Sequence, residues 1–361
     1  MLILRALEAR TRERVRAEVY DYYAGAAGDE RTMAENAEAW QRVWLRPRAL
    51  VDVGAVDPAV TLLGHRLAAP VLLAPIAAQR MLHPDGELAS ARAAAAAGSL
   101  YCLSTRATAD LAEVALAADE VGAPARWFQL YVHDDRDRTT EVLRRVREHG
   151  YSQVVVTVDV PVPGRREREL GHGPVALPDG VEMASHLGRG EGVAAKPMIG
   201  GWDATLAWAD LAWIREASGL DVIVKGVLTA EDALLAIDHG ASAVVVSNHG
   251  GRQLDGTLPT AVALREVAAA VAGRIPVLVD GGVRSGSDVV RALALGATAV
   301  LVGRPYAWGL AAGGPEGHGG EAGVREVLDA LIDDTARALA LVGATRCADV
   351  GAEHVRLRGW D

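Results

Sequence analysis

Short apolar runs, each ended by a small or polar residue, recur along most of the chain. Eight of them are continuously apolar rather than alternating, which is typical of parallel strands covered on both faces. They lie at residues 71–75, 100–104, 127–131, 154–158, 221–225, 243–247, 276–280 and 299–303. Stretches that predict helices lie between them, at 84–97, 138–149, 230–238, 261–272 and 287–295. Eight such β/α units predict an α/β protein with a closed (β/α)8 TIM barrel.

The segments around this repeat predict one domain over residues 1–361. Residues 1–70 look mostly helical and indicate a prefix to a barrel that covers residues 71–310. A Gly-rich stretch at 309–323 is expected to be a flexible connector, and residues 324–361 to form a C-terminal amphipathic helix and tail.

Residues 160–202 double the usual spacing between the fourth and fifth strands. This segment is rich in Gly, Pro and Arg, and it follows the C-terminal end of a strand, where TIM barrels place their active-site loops. We therefore expect a lid over the active site. The alternative is an inert surface insertion.

Charge and cysteine content narrow the choice of partner and compartment. The 361 residues include 47 acidic and 37 basic side chains, so the formal net charge of −10 argues against nucleic acid as a partner. No apolar run approaches the roughly 18 residues of a membrane span, and no signal peptide is evident. Cys102 and Cys347 lie far apart and lack metal-ligand spacing. We therefore expect a reduced, cytoplasmic protein without a metal site or a membrane partner.

Polar residues follow seven of the eight predicted strands. In a TIM barrel these strand ends face the active site. A single strand-end Ser or Thr is usually a loop cap, but agreement among so many strands is hard to attribute to capping. The residues concerned are Ser104, Gln129, Tyr131, Thr157, Asp159, Lys225, Ser247, His249, Arg252, Asp280, Gly303 and Arg304.

Glycines and arginines after the last two strands predict a phosphate site. Residues 280–284 read Asp-Gly-Gly-Val-Arg, and residues 303–305 read Gly-Arg-Pro. Glycines let backbone N–H groups approach a phosphate, and Arg284 and Arg304 add positive charge. The alternative is a pair of tight turns.

His249 and Lys225 are the residues best suited to chemistry. An imidazole can take a proton, Asp159 could orient it, and Arg252 could bind a carboxylate. The alternative for His249 is a structural histidine bonded to a loop carbonyl. Lys225 ends a strand in a chain that otherwise uses Arg almost everywhere. Lys225 could form a Schiff base or supply a compact positive charge. Its position in the sequence does not distinguish between these two roles.

These features, and the stretch Ser-Asn-His-Gly-Gly-Arg-Gln-Leu-Asp at 247–255 above all, resemble the FMN-dependent 2-hydroxy-acid oxidase and dehydrogenase family. The resemblance covers nearly the whole chain. Its other motifs lie at 20–25, 46–48, 74–77, 83–87, 128–131, 157–161, 164–167, 224–226, 280–284 and 303–305.

The resemblance implies FMN as cofactor and the oxidation of an (S)-2-hydroxy acid to a 2-oxo acid. It implies that His249 is the base, paired with Asp159, and that Lys225 stabilises negative charge on the reduced flavin rather than forming a Schiff base. Residues implied to bind the substrate are Tyr22, Tyr131, Arg166, His249 and Arg252. Residues implied to contact FMN are Ala74, Pro75, Ala77, Ser104, Gln129, Thr157, Lys225, Ser247, Asp280, Gly281, Gly282, Arg284, Gly303 and Arg304.

The electron acceptor and the assembly follow from the same resemblance. The loop after the fourth strand lacks the long apolar stretch of a membrane-bound dehydrogenase, which favours O2 over a quinone or another carrier. A homo-oligomer, tetramer or octamer, is implied. Two alternatives are a barrel isomerase that binds a phosphate ligand and a flavin-binding protein without activity.

The sequence departs from the family pattern where the substrate side chain would lie. Arg106 stands at a position that is usually apolar or aromatic. Ala78 and Pro163 replace bulkier or commoner residues and should enlarge the space beside Arg106. We therefore expect a 2-hydroxy acid that is larger or more polar than lactate, with Arg106 among the substrate-binding residues. The alternative is that Arg106 turns outward and pairs with Glu167 or Glu169.

Overall fold

The computed structural model describes residues 2–122, 125–173, 175–184 and 201–359. Its strands are β1 Val43–Leu45, β2 Val60–Leu62, β3 His65–Leu67, β4 Val71–Leu73, β5 Tyr101–Ser104, β6 Arg126–Leu130, β7 Gln153–Thr157, β8 Asp221–Val227, β9 Ala243–Val246, β10 Val277–Val279, β11 Ala299–Val302 and β12 Val355–Leu357.

The helices are α1 Leu2–Arg14, α2 Ala17–Ala24, α3 Arg31–Gln41, α4 Gly86–Ala96, α5 Leu111–Asp119, α6 Arg136–Glu148, α7 Glu167–His172, α8 Asp210–Ser218, α9 Ala230–Asp238, α10 Thr260–Val271, α11 Gly286–Ala294, α12 Arg304–Ala312 and α13 Gly320–Val342. In the described part of the chain, no helix is both long and apolar enough to cross a membrane.

Strands β4 to β11 form a closed parallel barrel, which confirms the predicted (β/α)8 fold. Each strand pairs with its neighbours in chain order, and β11 returns to β4 through the pairing of Leu301 with Leu72. The apolar runs are continuous because side chains on one face fill the barrel and those on the other pack under the helices. Polar residues that follow these strands therefore meet at one end of the barrel.

The opposite end of the barrel is closed by the β2–β3 hairpin. Leu62 and Leu67 of this hairpin pack with Leu72, Leu100 and Trp127 in a separate buried cluster inside the barrel. This arrangement closes the N-terminal ends of the strands with hydrocarbon, so a ligand would enter from the C-terminal ends.

The ends of the chain differ from the prediction. Helices end at residue 41 of the prefix, and β1 then pairs with β12 of the C-terminal tail. The stretch 309–323, expected to be a flexible connector, instead contains the end of α12 and the start of α13. A Cβ atom on Gly309 would lie 2.4 Å from the carbonyl oxygen of Gly323, so these glycines let the two helices touch. Gly309 and Gly323 therefore serve close packing between the helices, and residues 313–319 form the connection between α12 and α13.

The two asparagines of the chain bind each other and attach the prefix to the barrel. Asn36 on α3 and Asn248 after β9 exchange side-chain hydrogen bonds of 2.8 and 2.9 Å. Asn36 also accepts from the backbone N–H of Thr260, and Asn248 donates to the carbonyl of Leu258. Both amides are buried, and the bonds within the pair and from the Thr260 N–H are shielded from water.

Replacing Asn36 by Leu should lower the free energy of unfolding by about 2–4 kcal/mol, because Asn248 and the Thr260 N–H lose buried partners. Urea unfolding followed by circular dichroism measures this loss. Glu38→Leu, at an exposed position of α3, is the matched control and should change stability by less than about 0.5 kcal/mol. Equal effects of the two substitutions would contradict the proposed contribution of the asparagine pair.

Candidate active site

A cleft at the C-terminal end of the barrel contains about 1290 Å³ of empty space, its open mouth included. Most of the predicted site residues line it. They are Tyr22, Ala74, Pro75, Ala77, Ser104, Arg106, Tyr131, Thr157, Arg166, Lys225, His249, Arg252, Asp280, Gly281, Gly282, Arg284, Gly303 and Arg304.

Three predicted residues lie behind the lining rather than in it. Gln129 donates to the hydroxyl of Thr157 at 3.0 Å and accepts from the backbone N–H of Thr105. Ser247 accepts hydrogen bonds from the Lys225 ammonium and the His249 N–H, and Asp159 lies behind the His249 ring. These side chains orient lining residues and are not themselves among the residues lining the cleft.

His249 begins a turn of three left-handed residues. Its φ is 59°, and those of Gly250 and Gly251 are 63° and 79°. A left-handed residue other than glycine is uncommon, so neighbouring contacts must hold it. The Asn248 side chain accepts from the Gly251 N–H, and a Cβ on Gly251 would lie 2.7 Å from the backbone nitrogen of Met33. The turn and its packing against α3 therefore aim His249 at the cleft.

The imidazole of His249 is held between an acid and a phenol. Its Nδ1 lies 3.0 Å from Oδ1 of Asp159, and its Nε2 lies 3.5 Å from the hydroxyl of Tyr131. Burial raises the pKa of Asp159, but the charge and hydrogen bond of His249, with Lys225, outweigh it and lower the pKa overall. Burial, and then the charge of Asp159, raise the pKa of Tyr131 to about 12. Asp159 is therefore an anion and Tyr131 a neutral hydrogen-bond donor at neutral pH.

Lys225 is buried in a second acid–base pair. Its Nζ lies 2.8 Å from Oδ2 of Asp280 and donates to Ser247 Oγ at 2.8 Å. Burial lowers the pKa of Lys225, but the charges of Asp280 and Asp159 outweigh it, so the pKa is raised overall. A Schiff base needs the neutral amine. The geometry therefore favours a fixed positive charge at this position.

Arg166 and Arg252 form what we call the anion clamp. Arg252 donates through Nη1 to the carbonyls of Tyr22 and Gly25, at 2.6 and 2.9 Å, and its Cζ lies 5.2 Å from the Tyr22 ring centroid. Arg166 donates from Nε to the carbonyl of Arg252 at 3.3 Å. The backbone contacts fix the direction of the guanidinium groups, which suits them to bind a carboxylate.

A second group of cations lies next to the anion clamp, at the start of α12, where Arg304 donates to the same Gly25 carbonyl as Arg252. Arg304 donates to the carbonyls of Tyr23, Gly25 and Gly250. Burial, followed by the neighbouring charges of Arg252 and Arg284, lowers the pKa of Arg304 to about 9. A dianion bound beside Arg304 would raise the pKa of this guanidinium again. The positive end of α12 adds to the preference for an anion.

Two observations test whether these residues fit FMN. A Cβ on Gly303 would meet only the side chains of Ile76 and Ala74, at 3.9 and 4.0 Å, and both residues line the cleft. In the described residues, Oδ1 of Asp280 is a buried acceptor without a partner, which a hydroxyl-rich chain could satisfy. Gly303 and Asp280, together with Arg284 and Arg304, match the ribityl phosphate of FMN. The residues therefore fit this cofactor.

Arg106 lies in the cleft with an unpredicted partner. Its Cζ is 4.7 Å from the ring centroid of Trp202, whose ring lies 5.0 Å from that of Tyr131. The two acids of the alternative interpretation are engaged elsewhere: Glu167 with Arg165, and Glu169 with the anion clamp.

Pro163 lines the cleft, but Ala78 does not, and the expectation that it widens the cleft is wrong. Ala78 is fully buried and left-handed, with φ 57°. Its carbonyl accepts a 2.7 Å hydrogen bond from the hydroxyl of Tyr23. Its small size therefore suits a tight turn rather than a substrate.

Three contributors to the site do not follow from the sequence pattern: Trp202, Tyr23 and Glu169. Trp202 stands at the far end of the long loop, where residues 201–203 pair with 132–134 beside β6. The one feature of the sequence that could have indicated Trp202 is that an aromatic residue stands shortly before the fifth β/α unit. The sequence indicates Glu169 only as an alternative partner for Arg106.

The predicted lid lies partly outside the described residues, at 174 and 185–200. Its first part contains α7, which Arg168 fixes to Glu30 and Asp21 of the prefix. Among the residues that the structure describes, no group of three His, Cys, Asp or Glu side chains is arranged for a metal ion.

Comparison with known proteins gives consistent results. The family model "FMN-dependent dehydrogenase" matches residues 11–357. Glycolate oxidase of Spinacia oleracea is 42% identical over 361 residues, which cover 98% of this chain and 95% of the relative. L-lactate oxidase of Nostoc sp. is 42% identical over 347 residues, covering 94% and 93%.

A crystal structure of mandelate oxidase superposes with a TM-score of 0.87 at 40% identity, and 98% of each chain is covered. The match with the family model and the identity to curated relatives extend over nearly the whole chain. The chain therefore belongs to the FMN-dependent dehydrogenase family.

Proposed function

We propose that this protein oxidises (S)-2-hydroxy acids to 2-oxo acids with FMN, and that O2 reoxidises the cofactor to give hydrogen peroxide. One observation carries the proposal: His249, held by Asp159, faces the same cleft as the anion clamp and Lys225. A base, a carboxylate site and a fixed positive charge are the groups that this oxidation needs. The similarity to glycolate and lactate oxidases supports both the reaction and the acceptor.

FMN, when bound, would accept two electrons from the substrate. Lys225, charged beside Asp280, would stabilise the negative charge that reduction adds. Arg284 and Arg304 would hold the phosphate, and Asp280 and Gly303 would face the ribityl chain.

The substrate carboxylate would bind to Arg166 and Arg252, with the hydroxyls of Tyr22 and Tyr131 beside them. Nε2 of His249 takes the proton that leaves the substrate, from either Cα or the hydroxyl. Asp159 keeps the Nδ1 proton in place and stabilises the imidazolium that forms. Tyr131, which stays protonated because of its raised pKa of about 12, donates a hydrogen bond to the substrate oxygen.

Arg106 would select the substrate side chain. In the described residues its guanidinium has no acidic partner, and it lies on Trp202 in the lining of the cleft. A cation here has an evident use, which is to bind a second acidic or strongly polar group. We therefore propose a 2-hydroxy acid that is larger or more polar than lactate. A cytoplasmic location and a homo-oligomeric state, tetramer or octamer, remain predictions from the sequence.

His249→Gln should retain FMN and slow flavin reduction by a factor of roughly 10²–10⁴, the usual effect of losing a general base. Anaerobic rapid mixing with a 2-hydroxy acid measures this rate. His239→Gln, at the outer end of α9, is the control and should reduce at the rate of the unmodified protein. Near-normal reduction in His249→Gln would remove His249 from the mechanism.

Arg106→Leu should narrow or reverse the preference for acids with a distal acidic or polar group over lactate. The ratio of their kcat/KM values should change by roughly 1–3 kcal/mol, which is the scale of a charge-assisted hydrogen bond. A substrate panel that includes lactate measures the preference. Arg165→Leu, on the exposed side of the lid, should leave it unchanged. The specificity proposal fails if the unmodified protein prefers small aliphatic acids and Arg106→Leu has no effect.

A further inference from the structure

The carboxylate of Glu169 joins the two halves of the anion clamp. Its Oε1 lies 3.2 Å from Nη1 of Arg166 and 3.3 Å from Nη2 of Arg252, and its Oε2 lies 3.4 Å from Arg166. All three side chains are largely buried, with 12–15% of each exposed. One acid therefore serves both arginines.

Glu169 contacts the arginines from outside the cleft. Arg166 and Arg252 line the cleft, whereas Glu169 is not among the residues that line it. The Nη1 group of Arg252 faces the carbonyls of Tyr22 and Gly25. A guanidinium carries more N–H donors than these contacts use, so both arginines can bind a substrate carboxylate while Glu169 stays in place.

The charge of Glu169 offsets the repulsion between the two guanidinium groups. Burial and then the charge of Arg166 lower the pKa of Arg252, and Glu169 opposes that shift. With Glu169 the clamp carries two positive charges and one negative charge, which leaves one positive charge for one substrate carboxylate. Without it, two buried like charges would move apart.

The helix that carries Glu169 has anchors besides the clamp. Glu169 lies on α7, which Arg166 precedes at the N-cap. Arg168 pairs with Asp21 and Glu30, and His172 lies 2.7 Å from Asp21. A fixed helix can impose its position on a side chain that it bears. Glu169 thereby connects the start of the lid to the loop after β9.

We propose that Glu169 is a positioning residue that holds Arg166 and Arg252 at the separation that a single carboxylate can bridge. The inference rests on the proposed function, because it concerns the same substrate carboxylate. Glu169 itself does not touch the substrate. Its effect is expressed in carboxylate affinity rather than in proton transfer at His249.

Glu169→Gln keeps the size of the side chain and removes its charge. We expect KM for the preferred 2-hydroxy acid to rise about tenfold or more, with kcat within about twofold, since hydrogen bonds to charged groups have this scale. Glu167→Gln is the matched control, because Glu167 lies on the same helix and pairs with Arg165 on the exposed surface. It should change neither constant.

Calorimetric titration of the FMN-loaded protein with oxalate separates this inference from the proposed function. Oxalate has the carboxylate end of the substrate and no C–H bond to oxidise, so its Kd reports the clamp even if no 2-hydroxy acid is turned over. Its Kd should rise in Glu169→Gln in parallel with KM. Tighter oxalate binding would mean that Glu169 competes with the substrate. That result would overturn the proposal, and so would an unchanged Kd or an equal change in Glu167→Gln.

Discussion

The hydrogen bond between Asp159 and His249 determines which imidazole nitrogen faces the cleft. Asp159 follows β7 and His249 follows β9, so the bond spans the end of β8, where Lys225 lies. A second pair, which is buried, joins Lys225 of β8 to Asp280 at the end of β10. Acidic and basic side chains therefore meet in pairs across the ends of β7 to β10. Because a buried charge is costly without its partner, each residue of the two pairs fixes the other. The proton acceptor and the fixed positive charge are thus set by the barrel itself.

The position of His249 also depends on residues far away in the sequence. The left-handed turn that begins at His249 is braced by Asn248, and Asn248 is bound by Asn36 of the prefix. The prefix further supplies the carbonyls that hold Arg252 and Arg304. It therefore forms one wall of the site, and this explains why α2 and α3 pack against the open end of the barrel.

The barrel is predictable from the sequence because eight continuous apolar runs separated by helices are compatible with few folds, and strand ends converge by geometry alone. His249, Asp159 and Lys225 stand out for that reason. Trp202 and Glu169 do not, because their positions depend on how a long irregular loop packs against β6 and the prefix. The sequence pattern is ambiguous at Ala78 and at the glycines near residue 309, since a small residue permits either open space or close packing. The fold decides which of these two a small residue provides.

The central claim is that one cleft binds FMN and removes a proton from a 2-hydroxy acid beside it. The most direct measurement is the visible flavin spectrum of the purified protein under anaerobic conditions. The account predicts that an (S)-2-hydroxy acid bleaches this spectrum, that the (R) enantiomer does not, and that O2 restores it with formation of equimolar 2-oxo acid and hydrogen peroxide. A protein that purifies without flavin, or whose flavin no 2-hydroxy acid bleaches, would contradict it.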